Sequence, residues 1–128
     1  AGAGGTSWQK VEMLRNKKPI DNYLANWGLP TSYCVKEVAQ LKEKNSFYLI
    51  ASGGITNGVE IAKALALGAD LCASANIVLK TLIDDGIDGT IIQINKWFND
   101  VKKIMYLTGS QTLIDLNQKK LIKIEDLY

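Results

Sequence analysis

The sequence lacks histidine altogether, and it contains only two cysteines and two prolines among 128 residues. Cys34 and Cys72 match no metal-binding or redox spacing and stand among apolar residues, so we expect buried free thiols rather than a disulfide. No apolar stretch reaches the roughly 18 residues that a membrane span needs, and no basic segment followed by an apolar one opens the chain. These absences predict a cytoplasmic protein that does not enter a membrane.

The sequence also lacks a strong excess of charge of one sign, because 15 lysines and arginines nearly balance 13 aspartates and glutamates to give a net charge of +2. The short basic runs at 15–18 and 119–120 carry no interleaved aromatic residues, so we interpret them as solvated loops and expect no nucleic-acid partner. With 47% hydrophobic and 22% charged residues, the composition is typical of a soluble globular protein, and one domain is the expectation.

The first half of the chain alternates helix patterns with a strand pattern. A short helix is predicted at 8–14, and a longer amphipathic helix at 31–44, which Thr31 or Ser32 can cap. The apolar run FYLIA at 47–51, closed by SGG, is typical of a strand buried in a parallel sheet. The apolar positions of the longer helix recur at helical spacing and are Cys34, Val35, Val38 and Leu41.

The second half repeats this alternation. The segment VEIAKALAL at 59–67 predicts a helix ended by Gly68, and residues 69–75 predict a second short buried strand. The remaining predicted elements are a helix at 77–84, a loop at 86–89, a long helix at 90–107 ending near Gly109, and a short helix through Leu116 capped by Ser110. Such alternation indicates α/β architecture with a parallel sheet, but so few strands cannot close a barrel. The chain is therefore expected to be incomplete on its own.

The tryptophans and three aspartates are given no chemistry. An aromatic residue at a helix start or on the apolar stripe of a helix is usually a core or interface residue, and we interpret all three tryptophans in that way. The aspartates lack a partner that would make a metal site or an acid-base pair, so we interpret them as solvated or capping. These residues are Trp8, Trp27, Trp97, Asp70, Asp84 and Asp85.

Two predicted turns each leave a strand and enter a helix. SGGITNG at 52–58 is rich in glycine, so its backbone N–H groups can approach an anion closely, with help from the helix dipole. Ala75 and Asn76 begin the next helix, whose first N–H groups also lack acceptors. One Gly-Gly turn can be simple turn chemistry, but two adjacent turns predict a phosphate cup. Eight-stranded βα barrels commonly hold phosphate in the loops after the seventh and eighth strands, and this pattern fits those loops.

Four segments, in this order, resemble the C-terminal third of the type 2 isopentenyl diphosphate isomerases: AGAGGTSW at 1–8, NWGLPTS at 26–32, ASGGITNGVEIAKALALGAD at 51–70 and MYLTGS at 105–110. The SGG and KALALGAD pieces are also similar to α-hydroxy-acid oxidases and inosine monophosphate dehydrogenases, so they indicate only the superfamily. The first two segments indicate the isomerases. An oxidase would be expected to carry an Asn-His-Gly-Gly stretch in the first loop, and a dehydrogenase a catalytic cysteine loop, and neither is present.

The resemblance implies a partial (β/α)8 TIM barrel. Residues 1–128 would form the C-terminal portion of a single FMN-binding domain, with about strands 6–8 and the C-terminal helices. It also implies an isomerase that interconverts isopentenyl diphosphate and dimethylallyl diphosphate using reduced FMN and Mg²⁺, with NADPH as the reductant. The implied partners are the small isoprenoid diphosphate and the rest of the barrel or a homo-oligomer.

Carried over residue by residue, the resemblance implies binding roles only. The family's catalytic and metal-binding residues, and its substrate-binding histidine, have no counterpart in this chain, so we expect the chain alone to be inactive. Two alternatives stay open, namely another FMN-dependent barrel such as a 2-hydroxy-acid oxidase, and a non-catalytic barrel fragment that binds phosphate or serves in assembly. The residues implied to bind FMN are Gly53, Gly54, Ile55 and Thr56 at its phosphate, Ala75 and Asn76 completing the cup, and Thr6 on the flavin side.

Overall fold

A computed structural model describes residues 7–19 and 27–126 of the chain. Helices alternate with two short strands in this part of the chain, which confirms the predicted α/β class. The elements are α1 (Trp8–Arg15), α2 (Thr31–Gln40), a 3-10 helix (Leu41–Glu43), β1 (Ile50–Ser52), α3 (Gly58–Ala66), β2 (Leu71–Ala73), α4 (Asn76–Leu107), α5 (Leu113–Asn117) and a second 3-10 helix (Ile124–Asp126). None of the helices in residues 7–19 and 27–126 is long and apolar enough to cross a membrane.

The two strands pair in parallel and lie where they were predicted, although each is shorter. The register sets Ile50 opposite Leu71, Ala51 opposite Cys72 and Ser52 opposite Ala73. Ala51 is 1% exposed, whereas Ile50 and Leu71 are each 56% exposed. The prediction of buried strands is therefore wrong for one face of the pair, because nothing in the described part of the chain packs over that face.

Helix α3 forms because both of its ends are satisfied locally. The Asn57 side chain accepts a hydrogen bond from the Glu60 N–H at 3.0 Å, which caps the first turn. At the other end, the N–H groups of Gly68 and Ala69 donate back to carbonyl groups of the last turn. The predicted helix at 59–67, ended by Gly68, is confirmed.

Helix α2 and the 3-10 helix after it together cover most of the predicted helix at 31–44. The predicted cap is wrong, because the N-cap residue is Pro30 and no side chain caps the first turn. The hydroxyl of Thr31 instead donates to the Gly53 carbonyl at 2.9 Å, and therefore ties α2 to the turn after β1. Val35 is the buried residue of the predicted apolar face, whereas Leu41 is 53% exposed.

Helix α5 begins later than predicted. Its N-cap is Thr112, whose side chain accepts the Asp115 N–H, while the Asp115 carboxylate accepts the Thr112 N–H in return. The predicted Ser110 cap is therefore wrong. Ser110 is buried, and its N–H donates to the Met105 carbonyl to close the end of α4.

Helix α4 joins two predicted helices across one break. Gly86 has φ 70° and ψ −165°, and it marks the point where the helix bends. The predicted loop at 86–89 is therefore too long, because helical backbone resumes directly after Gly86. On the second part of the helix, Trp97 and Val101 are buried, whereas Phe98 is 63% exposed. The wide apolar stripe predicted for this helix is thus only partly covered.

Two small cores join helices α2 to α5 and the strand pair, and α3 contributes to both. One core joins α2, the strand pair and α3, and its buried residues are Val35, Ala51, Ile55, Ala64 and Ala69. The other joins α3, α4 and α5, and its buried residues are Ala62, Leu65, Val101 and Leu116. Of the three tryptophans interpreted as core or interface residues, Trp97 is buried, and Trp8 and Trp27 are each 76% exposed.

Candidate functional site

The carboxyl ends of β1 and β2 lie side by side, because the register pairs Ser52 with Ala73 at the last position of each strand. The two predicted turns start there. The Ser74 hydroxyl donates to the Ile55 carbonyl at 2.6 Å, which links the second turn directly to the first. The structure therefore brings together the two turns that the sequence placed at separate strand ends.

The first turn exposes its backbone through two glycines in the left-handed region. Gly53 has φ 117° and Gly54 has φ 74°, values at which an L side chain is strained. The Gly53 carbonyl accepts the Thr31 hydroxyl, so the oxygen side of this peptide is already bonded. Among the described residues, the backbone N–H groups of Gly54 and Ile55 have no acceptor. The turn therefore offers donors rather than acceptors.

The second turn leads into α4 without a side-chain cap. The N-cap residue is Ala75, its carbonyl accepts the Leu79 N–H at 2.9 Å, and no acidic residue lies in the first turn of the helix. The first N–H groups of a helix, here those of Asn76 and Ile77, have no intrahelical acceptor. The positive end of the helix dipole lies at the same place, so this helix start suits an anion.

Thr56 differs from the other predicted binding residues, because both of its donors are already engaged. The Glu60 carboxylate accepts the Thr56 N–H at 2.6 Å and the Thr56 hydroxyl at 3.0 Å. Glu60 lies in the first turn of α3, one turn after Asn57. A cavity of about 390 Å³ lies beside this contact, and its wall includes Gly53, Gly54, Ile55, Glu60 and Lys63.

The amino ends of the same strands are closed by a charged cluster. Lys42 donates to both carboxylate oxygens of Asp70 at 2.7 Å and to the Gly68 carbonyl at 3.2 Å, and the Leu49 N–H donates to Asp70 at 2.7 Å. The Leu49 N–H, followed by Lys42, lowers the pKa of the Asp70 carboxyl below its ordinary value. The interpretation of Asp70 as a solvated or capping residue without a partner is therefore wrong, because its carboxylate links the 3-10 helix (Leu41–Glu43) to the residues that lead into β1 and β2.

The structure describes all but one of the residues predicted to bind FMN. Thr6 lies outside the described residues. Three others, Thr31, Glu60 and Ser74, were not predicted as part of the site, and their hydrogen bonds now define it. A hydroxyl next to a strand end was the available signal for Ser74, but its acceptor lies 19 positions away. The predicted turn residues that the structure describes are Gly53, Gly54, Ile55, Thr56, Ala75 and Asn76.

The two cysteines are free, which confirms the predicted free thiols, and they are half-buried rather than buried as predicted. Burial raises the pKa of the Cys72 thiol to about 11, so this thiol is unreactive near neutral pH. Within residues 7–19 and 27–126, no three His, Cys, Asp or Glu side chains gather as a metal site. The chemistry available at the strand ends is therefore that of backbone donors, hydroxyl groups and one carboxylate.

Comparison with known proteins identifies the family. Residues 28–123 match the family of FMN-dependent dehydrogenases, and both turns lie inside that stretch. The chain belongs to the FMN-dependent dehydrogenase family. Membership supports FMN as the cofactor of the proteins to which this chain is similar.

Curated relatives in this family confirm the predicted resemblance to the isomerases. The chain is 41% identical over 136 residues to the isopentenyl-diphosphate delta-isomerase of Pelodictyon phaeoclathratiforme, covering 95% of the chain and 37% of that protein. It is 43% identical to the enzyme of the same name from Chlorobium phaeobacteroides, covering 94% of the chain and 36% of the relative. For the Chlorobaculum parvum enzyme the identity is 44%, covering 91% and 36%. The chain thus spans little more than a third of the length of these relatives.

A solved structure supports the fold alone. A lactate oxidase from Pediococcus acidilactici superposes on 96% of the chain with a TM-score of 0.71, at 22% sequence identity. The chain covers 35% of that structure. This likeness agrees with the α/β class of an FMN-dependent dehydrogenase, while the assignment to particular barrel strands stays a prediction.

Proposed function

We propose that this chain supplies the FMN-phosphate site of a type 2 isopentenyl diphosphate isomerase. In this proposal residues 1–128 form the C-terminal portion of a single (β/α)8 barrel, and β1 and β2 are its seventh and eighth strands. The observation that carries the proposal is the Ser74 hydroxyl bond to the Ile55 carbonyl, which joins two donor-rich turns in a member of an FMN-dependent family.

The donors of these turns fit a phosphate group. A phosphate needs several N–H or O–H donors, and Gly54 and Ile55, whose N–H groups are unengaged, follow β1 at the same sheet edge where α4 begins uncapped at Asn76. Gly53 provides the left-handed backbone of the first turn, and Ala75 is the N-cap residue of α4 in the second. Thr56 can add its donors only when Glu60 releases them. The Thr6 role on the flavin side rests on the resemblance.

When bound at these turns, reduced FMN would supply acid-base chemistry for the shift of the double bond in the C5 diphosphate, which involves no net oxidation. The described residues hold the phosphate end of the cofactor, which fixes its position. They contain no cluster of metal ligands that fits Mg²⁺. The proposal therefore leaves Mg²⁺, NADPH, the substrate diphosphate and proton transfer to residues outside the described set.

The test is an assay of the full-length protein. With reduced FMN and Mg²⁺, we expect conversion of isopentenyl diphosphate into dimethylallyl diphosphate, and NADPH is expected to serve as the reductant. The isolated 128-residue chain is expected to be inactive. Oxidation of a 2-hydroxy acid without isomerisation would support an oxidase instead, and absence of FMN binding would contradict the proposed site.

A further inference from the structure

Glu60 sets a negative charge against the turn that is proposed to bind phosphate. Its carboxylate accepts the Thr56 N–H at 2.6 Å and the Thr56 hydroxyl at 3.0 Å. Both are donors that a phosphate at this turn would use. We infer that Glu60 is an internal competitor that limits the affinity of the site for the FMN phosphate, an inference that rests on the proposed function.

The position of Glu60 makes this competition direct. Glu60 and Lys63 lie in α3, and both line the cavity that also contains Gly53, Gly54 and Ile55. Residues three apart on a helix share a face, so the cavity wall carries one negative and one positive side chain together. Glu60 and the first-turn residues Gly54 and Ile55 therefore line the same cavity.

Charge decides the outcome of this arrangement. A phosphate that leaves Thr56 bonded to Glu60 binds beside a carboxylate and is repelled by it. A phosphate that takes the Thr56 donors must displace the carboxylate from two hydrogen bonds. Both routes weaken the binding of FMN and leave the binding of riboflavin, which has no phosphate, unaffected.

An ordinary capping role predicts something different. If Glu60 only stabilised the start of α3, its replacement would affect FMN and riboflavin equally. Glu60→Gln separates the two roles, because the glutamine oxygen can still accept the Thr56 N–H while the charge is lost. Asp115 offers a matched control, since its carboxylate accepts the Thr112 N–H at the start of α5 and does not line this cavity.

The experiment measures dissociation constants of FMN and riboflavin for the full-length apoprotein by quenching of flavin fluorescence, at low and high salt. We expect Glu60→Gln to bind FMN about 10-fold more tightly at low salt, less so at high salt, with riboflavin unchanged. Asp115→Asn is expected to leave both constants unchanged. Suppose that the wild-type protein binds FMN more tightly than riboflavin. If Glu60→Gln then changes both dissociation constants equally, or changes neither, the competitor role is overturned while the proposed phosphate site stands.

A second variant keeps the inference testable if Glu60→Gln folds poorly. Lys63→Gln removes the opposite charge from the same cavity, and we expect FMN binding to weaken about 3-fold with riboflavin unchanged. Tighter FMN binding by Lys63→Gln would contradict the inference. A wild-type protein that binds FMN no better than riboflavin would overturn the proposed phosphate site itself, and the competitor role with it.

Discussion

The two ends of the β1–β2 pair are built from different chemistry. At the amino end, Lys42 and Asp70 form an ion pair at 2.7 Å, and the Leu49 N–H adds a further bond to the carboxylate. At the carboxyl end, uncharged bonds run from the Thr31 and Ser74 hydroxyls to turn carbonyls, and the Glu60 carboxylate accepts from Thr56 within the first turn. At the amino end the polar groups bond to one another, whereas at the carboxyl end the backbone N–H groups of Gly54 and Ile55 have no acceptor among the described residues.

Under the proposed function, the two ends of the strand pair serve stability and binding separately. In βα barrels the functional loops lie at the carboxyl ends of the strands, while the opposite face serves stability. The hydroxyl bonds at the carboxyl end occupy carbonyl oxygens and leave N–H groups unengaged. Changes at the two ends should therefore alter different properties of the protein.

Gly54→Val should give the largest effect and act on binding. The φ of 74° strains a β-branched residue, and Gly54 lies in the turn that lines the cavity. We expect FMN affinity to fall about 30-fold to 100-fold, measured by fluorescence titration of the full-length protein. Gly86→Val is the matched control, since Gly86 has φ 70° with open space around it. A similar loss of FMN affinity in both variants would contradict a local role for Gly54.

Asp70→Ala should act on stability instead. It leaves the Leu49 N–H and Lys42 without their acceptor, and we expect a loss of about 2 kcal/mol in the free energy of unfolding. FMN affinity of the folded protein should stay unchanged. Asp70→Asn keeps an oxygen for the Leu49 N–H and should lose only about 1 kcal/mol. Denaturant titration measures both values. Weaker FMN binding in a folded Asp70→Ala protein would contradict the separation of stability and binding between the two ends.

Ser74→Ala should have a smaller effect, again at the carboxyl end. The variant removes the 2.6 Å bond that holds the second turn to the Ile55 carbonyl. We expect FMN binding to weaken about 5-fold, which corresponds to about 1 kcal/mol. Ser74→Thr keeps the hydroxyl and should bind FMN nearly as the wild type does. Isothermal titration with both flavins gives the comparison, and equal weakening for Ala and Thr would exclude the hydroxyl as the cause.

The smallest effect concerns acid pH at the amino end. Because folding lowers the pKa of Asp70 below its ordinary 3.8, the unfolded chain binds a proton more readily than the folded one. The stability that the Asp70 charge contributes is therefore present above about pH 4 and is lost as the pH falls through the folded pKa. The difference in unfolding free energy between wild type and Asp70→Asn should shrink below pH 4. A constant difference down to pH 2 would show that the Asp70 charge does not contribute.

Local signals made part of this structure predictable from the sequence. Helix α3 was predictable because strong helix formers lie between the Asn57 cap and Gly68. The turn at Gly53 and Gly54 was also predictable from a local signal, because its conformation depends on the neighbouring backbone. The exposed face of the strands was not, because burial depends on layers that a local pattern does not contain.

The contacts that define each end of the strand pair required the three-dimensional structure. Lys42 and Asp70 are 28 positions apart, and Ser74 and Ile55 are 19 apart, so no spacing rule joins them. The loop predicted at 86–89 was too long for a different reason. Glycine often ends a helix, but Gly89 lies in helical backbone and only Gly86 leaves it. The bond between Glu60 and Thr56 shows that a predicted donor can be engaged by a nearby carboxylate.

The most direct measurement is a crystal structure of the full-length protein with FMN. We expect phosphate oxygens at about 3 Å from the backbone nitrogens of Gly54 and Asn76, with Asp70 still bonded to Lys42 at the opposite end of the strands. FMN bound with its phosphate away from both turns would contradict the proposed phosphate site.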